Sequence, residues 1–166
     1  MTRDIQQKVR QILRLLQAQG LTVATAESCT GGGIAAALTS VSGSSANVKG
    51  GIVAYWNETK HNLLHVSSRT IARYGVVSEQ VVVEMASGAV KALHVDLAVS
   101  SSGVTGPTGG TPENPVCTVW MCVASADGRK MTYRMSEEDK GRKANTQKAI
   151  DEALNLLLKF IKNEEN

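Results

Sequence analysis

Leu21-Thr22-Val23-Ala24-Thr25-Ala26-Glu27-Ser28-Cys29-Thr30-Gly31-Gly32-Gly33-Ile34 passes from a β-prone run into a helical one. Residues 21–26 read as a short strand, and residues 34–39 carry an alanine-rich helical pattern. Small hydroxyl residues and glycines fill the junction. Backbone N–H groups at such a helix start favour an anion or a developing oxyanion. Glycine lets a ligand approach the backbone closely. Ser28 falls at the carboxyl end of the strand, where open α/β sheets bind ligands. The junction matches neither Gly-x-x-x-x-Gly-Lys-Ser/Thr nor Gly-x-Gly-x-x-Gly, so it is not a P-loop or a dinucleotide fingerprint. It is not Gly-x-Ser-x-Gly either, which excludes the nucleophile elbow of α/β-hydrolases.

Working outward, Ile5, Val9, Ile12 and Leu16 form one apolar stripe and predict a helix over 2–19 that Gly20 ends. Downstream, residues 49–56 read as a strand. Asn57 is the expected cap of a short helix to Leu64, and Ser67 or Ser68 of another that ends at Gly75. Ser78 opens a helix with Val81, Val82, Met85, Ala89, Val90 and Leu93 on one side. Residues 96–101 read as a strand. Residues 103–115 read as a loop that holds all three prolines of the chain, and a loop this long is usually functional or disordered. Residues 117–125 and 129–135 flank Asp127-Gly128, a hairpin signal. A long amphipathic helix begins near Asp139. Alternating strands and helices with one hairpin predict one α/β domain over residues 1–166, a mixed sheet covered by helices on both faces.

The bulk numbers narrow the function. The chain has 166 residues, 42% hydrophobic and 20% charged, with one Phe, two Trp and three Tyr. Its core must be built from Val, Leu, Ile and Ala. A net charge of +3 is too weak to imply a nucleic-acid partner. Only Lys140-Gly141-Arg142-Lys143 is locally basic, readable as a solvated helix start or a phosphate contact. Three scattered cysteines give neither a disulfide framework nor a metal cluster. The N-terminus is polar, and no apolar run approaches the ~18 residues of a membrane span. The expectation is a cytoplasmic protein without metal or cofactor and with no nucleic-acid or membrane partner. The amphipathic first and last helices suggest a homo-oligomer.

Ser28 and Thr30 read either as helix caps or as site residues. A serine nucleophile needs a base. His61 and His65 are spaced i, i+4 but lack a third ligand, so they read as surface residues. A lysine serves as a base when desolvation or a nearby cation lowers its pKa. Cys29 is a second candidate nucleophile. If Ser28 faces a ligand, Cys29 faces the helix packing.

Thr25-Ala26-Glu27-Ser28-Cys29-Thr30-Gly31-Gly32 resembles the signature of the CinA C-terminal domain family. The resemblance continues through Gly43-Ser44-Ser45-Ala46, Gly50-Gly51-Ile52-Val53-Ala54-Tyr55 and Asn57-Glu58-x-Lys60. It extends to Tyr74-Gly75-Val76-Val77-Ser78-Glu79 and Gly106-Pro107-x-Gly109-Gly110-Thr111-Pro112. It implies a three-layer α/β/α sandwich with a mixed, mostly parallel sheet. It also implies an amidohydrolase that converts nicotinamide mononucleotide (NMN) to nicotinic acid mononucleotide and ammonia, by a metal-free Ser/Lys mechanism. With no preceding domain, the chain resembles the stand-alone form. Carried over, Ser28 is the nucleophile and Lys60 the base. N–H groups around Thr30 and Gly31 hold the oxyanion. Glu27, Ser45, Tyr55, Ser102, Gly106 and Gly109 line the substrate site, and Arg142 or Lys143 meets the phosphate.

The chain departs from the family pattern in three places, the third covering two positions. Thr108 stands where an aspartate is common, and Cys117 where a glycine is. Asp139 stands where an arginine is common before the last helix, and Lys143 at a second arginine. An Arg-to-Lys change is not neutral at a bidentate phosphate site. Two readings therefore stay open: an active deamidase, or a divergent paralogue that binds a mononucleotide or acts on another amide.

Overall fold

The structure is a computed structural model and describes residues 2–163. Thr2 caps the first helix, α1 (Arg3–Gln19), by accepting from the Ile5 N–H, and Gly20 ends it in the left-handed region at φ 66°. Strand β1 (Val23–Glu27) and helix α2 (Gly33–Thr39) are the expected strand–turn–helix unit. A 3₁₀ turn (Ser44–Ala46) leads to β2 (Val48–Val53). Three helices follow: α3 (Asn57–Leu64), α4 (Ser68–Tyr74) and α5 (Glu79–Leu93). Then come β3 (Leu97–Val104), β4 (Thr118–Ser125), β5 (Lys130–Ser136) and α6 (Arg142–Lys162).

The strands form one sheet in the order β2-β1-β3-β4-β5. β1 pairs parallel with β2 and β3, while β4 runs antiparallel between β3 and β5. The sheet is therefore mixed, with four strands in one direction and β4 reversed. The chain leaves β1 for β2 on one side, then crosses back to β3 on the other. That reversal opens a crevice at the carboxyl ends of β1 and β3.

Helices cover both faces. On one, α1, α2 and α6 pack through Ile12, Leu16, Ile34, Leu154 and Leu157 onto Val23, Val99, Met121 and Val123. Each such side chain contributes roughly 1.5–3 kcal/mol on full burial. On the other face the sheet presents small residues, Ala26, Ala98, Cys122 and Ala124. Helix α5 rests there on Val81, Val82, Met85, Ala86 and Ala89. Helix α3 then packs on α5 so closely that a Cβ at Gly88 would lie 2.0 Å from the Leu64 carbonyl oxygen.

Some expected boundaries move. β3 runs on through Gly103 and Val104, which still pair with Val119 and Thr118. Gly103 reads as loop, but there it is a strand residue with no room for a side chain, since a Cβ would meet the Thr118 carbonyl at 2.4 Å. Trp56 is the cap of α3 and Asn57 its first residue. The last helix starts at Arg142, not near Asp139. The apolar stripes of α1 and α6 are buried in one shared core, so neither calls for a second copy of the chain. Among the described residues no helix is long and apolar enough to cross a membrane.

Candidate active site

Ser28 follows the last residue of β1, and its N–H donates to the Ser101 carbonyl at 3.0 Å, which ties the turn to β3. Lys60, in the first half of α3, points inward and is 1% exposed. Its Nζ lies 3.0 Å from Ser28 Oγ, 2.8 Å from the Ala54 carbonyl oxygen and 3.3 Å from that of Tyr55. No carboxylate pairs with it among the described residues. Burial without a counter-ion lowers the Lys60 pKa, because desolvation penalises the ammonium. A neutral amine has two N–H groups and one lone pair. Charged, Nζ donates to Ser28 Oγ and to both carbonyls; deprotonated, it keeps the two carbonyl bonds and turns its lone pair to the Ser28 hydroxyl. That is the arrangement a general base requires.

The glycine turn is held from inside. Glu27 is fully buried. Its Oε2 accepts from Thr30 Oγ1 at 2.7 Å, Gly32 N at 3.1 Å and Ile34 N at 3.0 Å. Its Oε1 accepts from Ala35 N at 2.8 Å. Thr30 Oγ1 also meets Ser101 Oγ at 2.7 Å. The anion at the start of α2 is thus the protein's own carboxylate. This corrects the expectation for Glu27, for the Thr30 side chain and for the Gly31 N–H, which are spent inside the protein and do not face the cleft. The Gly31 N–H is spent on the Ser28 carbonyl at 3.0 Å. Among the described residues, the Cys29 and Thr30 N–H groups of the turn donate to no backbone carbonyl. Gly31 and Gly32 are needed for the backbone path, at φ 59° and 94°. Cys29 packs into the core under α2, and burial pushes its thiol up to about 12.

Ser28 and Lys60 open into a cleft of about 320 Å³. Tyr55, Ser102, Gly106 and Gly109 line it, together with Thr108 and Arg142. Ser102 Oγ donates to the Val76 carbonyl at 2.8 Å. Arg142 closes one side, with Nη1 donating to the Gly106 carbonyl at 2.7 Å and Nη2 to Tyr55 Oη at 3.2 Å. Two expected residues lie elsewhere. Ser45 precedes β2 and is exposed at the amino end of the sheet, away from the carboxyl-end cleft. Lys143 lines a neighbouring groove beside the start of α6. Between the two basic candidates, Arg142 is the one in the cleft.

Sequence reading missed Asn57, which lines the cleft, and Asn145. Asn145 is buried; its Nδ2 donates to the Thr105 carbonyl at 3.1 Å, and its Oδ1 accepts from Lys140 N at 3.0 Å. It pins the glycine-rich loop to the start of α6 and so places Arg142. A polar residue on the apolar side of an amphipathic helix was the available signal.

A sequence model of the CinA C-terminal domain matches residues 5–161. The chain belongs to the CinA C-terminal domain family. The nicotinamide-nucleotide amidohydrolase PncC of Escherichia coli K12 is 50% identical over 131 residues, 79% of each chain. The protein of that name from Enterobacter agglomerans is 48% identical over 148 residues, 89% of this chain and 90% of its own. The competence/damage inducible protein of Agrobacterium tumefaciens superposes with a TM-score of 0.92 at 38% identity, covering 95% of this chain and 96% of its own.

Within the CinA family frame, the three departures take on specific roles. The Asp139 carboxylate accepts from the Asn145 amide at 2.7 Å and from Gly141 N at 2.8 Å, which lowers its pKa. It is spent on the start of α6 and does not line the cleft. Cys117 is buried at φ 72°, a left-handed conformation that costs a non-glycine residue roughly 1–2 kcal/mol. Thr108 alone of the three lines the cleft, where it presents a neutral side chain.

Proposed function

We propose that this chain hydrolyses the carboxamide of NMN to nicotinic acid mononucleotide and ammonia. The reading rests on one observation above all: a buried, unpaired lysine 3.0 Å from a serine hydroxyl at the floor of a cleft. Ser28 Oγ attacks the amide carbon while Lys60 Nζ takes the hydroxyl proton. The Cys29 and Thr30 N–H groups face the developing oxyanion, a contribution often worth roughly 3–4 kcal/mol. Lys60 then returns the proton to the leaving nitrogen, and ammonia departs. Water attacks the Ser28 ester, again with Lys60 as base, and the carboxylate is released. Arg142 meets the phosphate, and the Tyr55 ring lies beside the pyridine. The relatives named for nicotinamide-nucleotide hydrolysis supply the substrate class. The reaction is taken to run in the cytoplasm.

The test is product analysis. Purified protein incubated with NMN releases ammonia and nicotinic acid mononucleotide in equal amounts. A folded sample that leaves NMN intact but hydrolyses another amide from a panel would replace this substrate. A sample inactive on the whole panel would sink the hydrolase reading.

A further inference from the structure

A second cavity, of about 430 Å³, opens between α1 and the segment that leaves α2. It lies at the amino end of the sheet, opposite the catalytic cleft. Gln6, Arg10, Arg14 and Gln17 line it from α1, and Ser40 and Ser42 face them. Arg10 and Arg14 are four apart on one helix and therefore stand side by side. No carboxylate is among the lining residues. Neither arginine side chain makes an ion pair or a hydrogen bond among the described residues. Like charges placed one turn apart repel each other and weaken a helix. An anion bridging them removes that repulsion. Guanidinium forks match phosphate oxygens in pairs. The Gln6 and Gln17 amides and the Ser42 hydroxyl can both donate and accept, as a ribose or a base requires, while the Ser40 hydroxyl, which donates to the Ala37 carbonyl at 2.7 Å, can accept.

We propose that this groove is a second ligand site, which holds a nucleotide with its phosphates between Arg10 and Arg14. The sugar and base lie against Gln6, Gln17 and the two serines. The site is independent of the Ser28–Lys60 cleft, whose own cation is Arg142.

Calorimetric titration at constant ionic strength tests it, with adenosine diphosphate and inorganic pyrophosphate as probes. Wild-type protein and Arg142→Ala each bind one adenosine diphosphate saturably, and more tightly than pyrophosphate. The double variant Arg10→Ala/Arg14→Ala binds it at least tenfold more weakly. Both arginines are exposed and alanine is the best helix former, so this variant keeps its far-UV spectrum and its hydrolase turnover. Unchanged binding in the double variant would overturn the site, as would a loss confined to Arg142→Ala or no saturable binding to wild type. Pyrophosphate binding as tightly as adenosine diphosphate would overturn the nucleotide assignment.

Discussion

Lys60 carries the heaviest demand on any single residue. Its ammonium is disfavoured by burial, so its pKa falls below the ordinary 10.5. Only the neutral amine accepts the Ser28 proton. Turnover therefore rises with pH through an apparent pKa below 10.5 and falls at lower pH as the amine charges. Lys60→Arg, permanently charged, shows no such limb and no activity; a pH–rate profile checks both. The same shift has a stability consequence. Between the folded pKa and 10.5 the unfolded chain binds more protons, so this residue's contribution to stability grows as pH rises across that window. Cys29 makes the opposite prediction. A thiol pushed up to about 12 is not a thiolate at neutral pH. Cys29→Ala keeps turnover within a few-fold, and iodoacetamide at pH 7.5 leaves the wild type active. Inactivation by the reagent, tracked to Cys29 by peptide mapping, would contradict that assignment.

At the scale of elements, the base reaches the nucleophile because α3 docks on α5 at Gly88. Gly88→Ala puts a methyl 2.0 Å from backbone and forces α3 outward. The expected cost is roughly 1–3 kcal/mol of stability, read by denaturant unfolding, with a fall in turnover as Lys60 moves off Ser28. Gly33→Ala is milder, since its methyl meets the flexible end of Ile150 at 2.4 Å. Elements were legible where periodicity changed abruptly: the first strand, the glycine turn and α5 stand out in the sequence. Gly103 and the start of α6 were not. A glycine that continues a strand is locally indistinguishable from one that opens a loop, and Asn145, the residue that sets the α6 start, acts through a contact 40 residues away in the chain.

Over the whole molecule, the site gathers residues from distant parts of the chain at one reversal in the sheet. Ser28 was legible from its turn. Lys60 was legible only through the family resemblance, because nothing local ties residue 60 to residue 28. Glu27 was misread for a physical reason: a helix start that looks free to take an anion is already filled by the preceding strand's own side chain. Arg142, arriving from the last helix, completes the cleft and could be separated from Lys143 only by folding the chain. In the proposed reaction Ser28 Oγ is the atom that is acylated. The most direct measurement is ammonia release from NMN by Ser28→Ala against wild type at equal, verified folding. A loss of at least about 10³-fold is expected. A Ser28→Ala protein that keeps a tenth of wild-type turnover would contradict it.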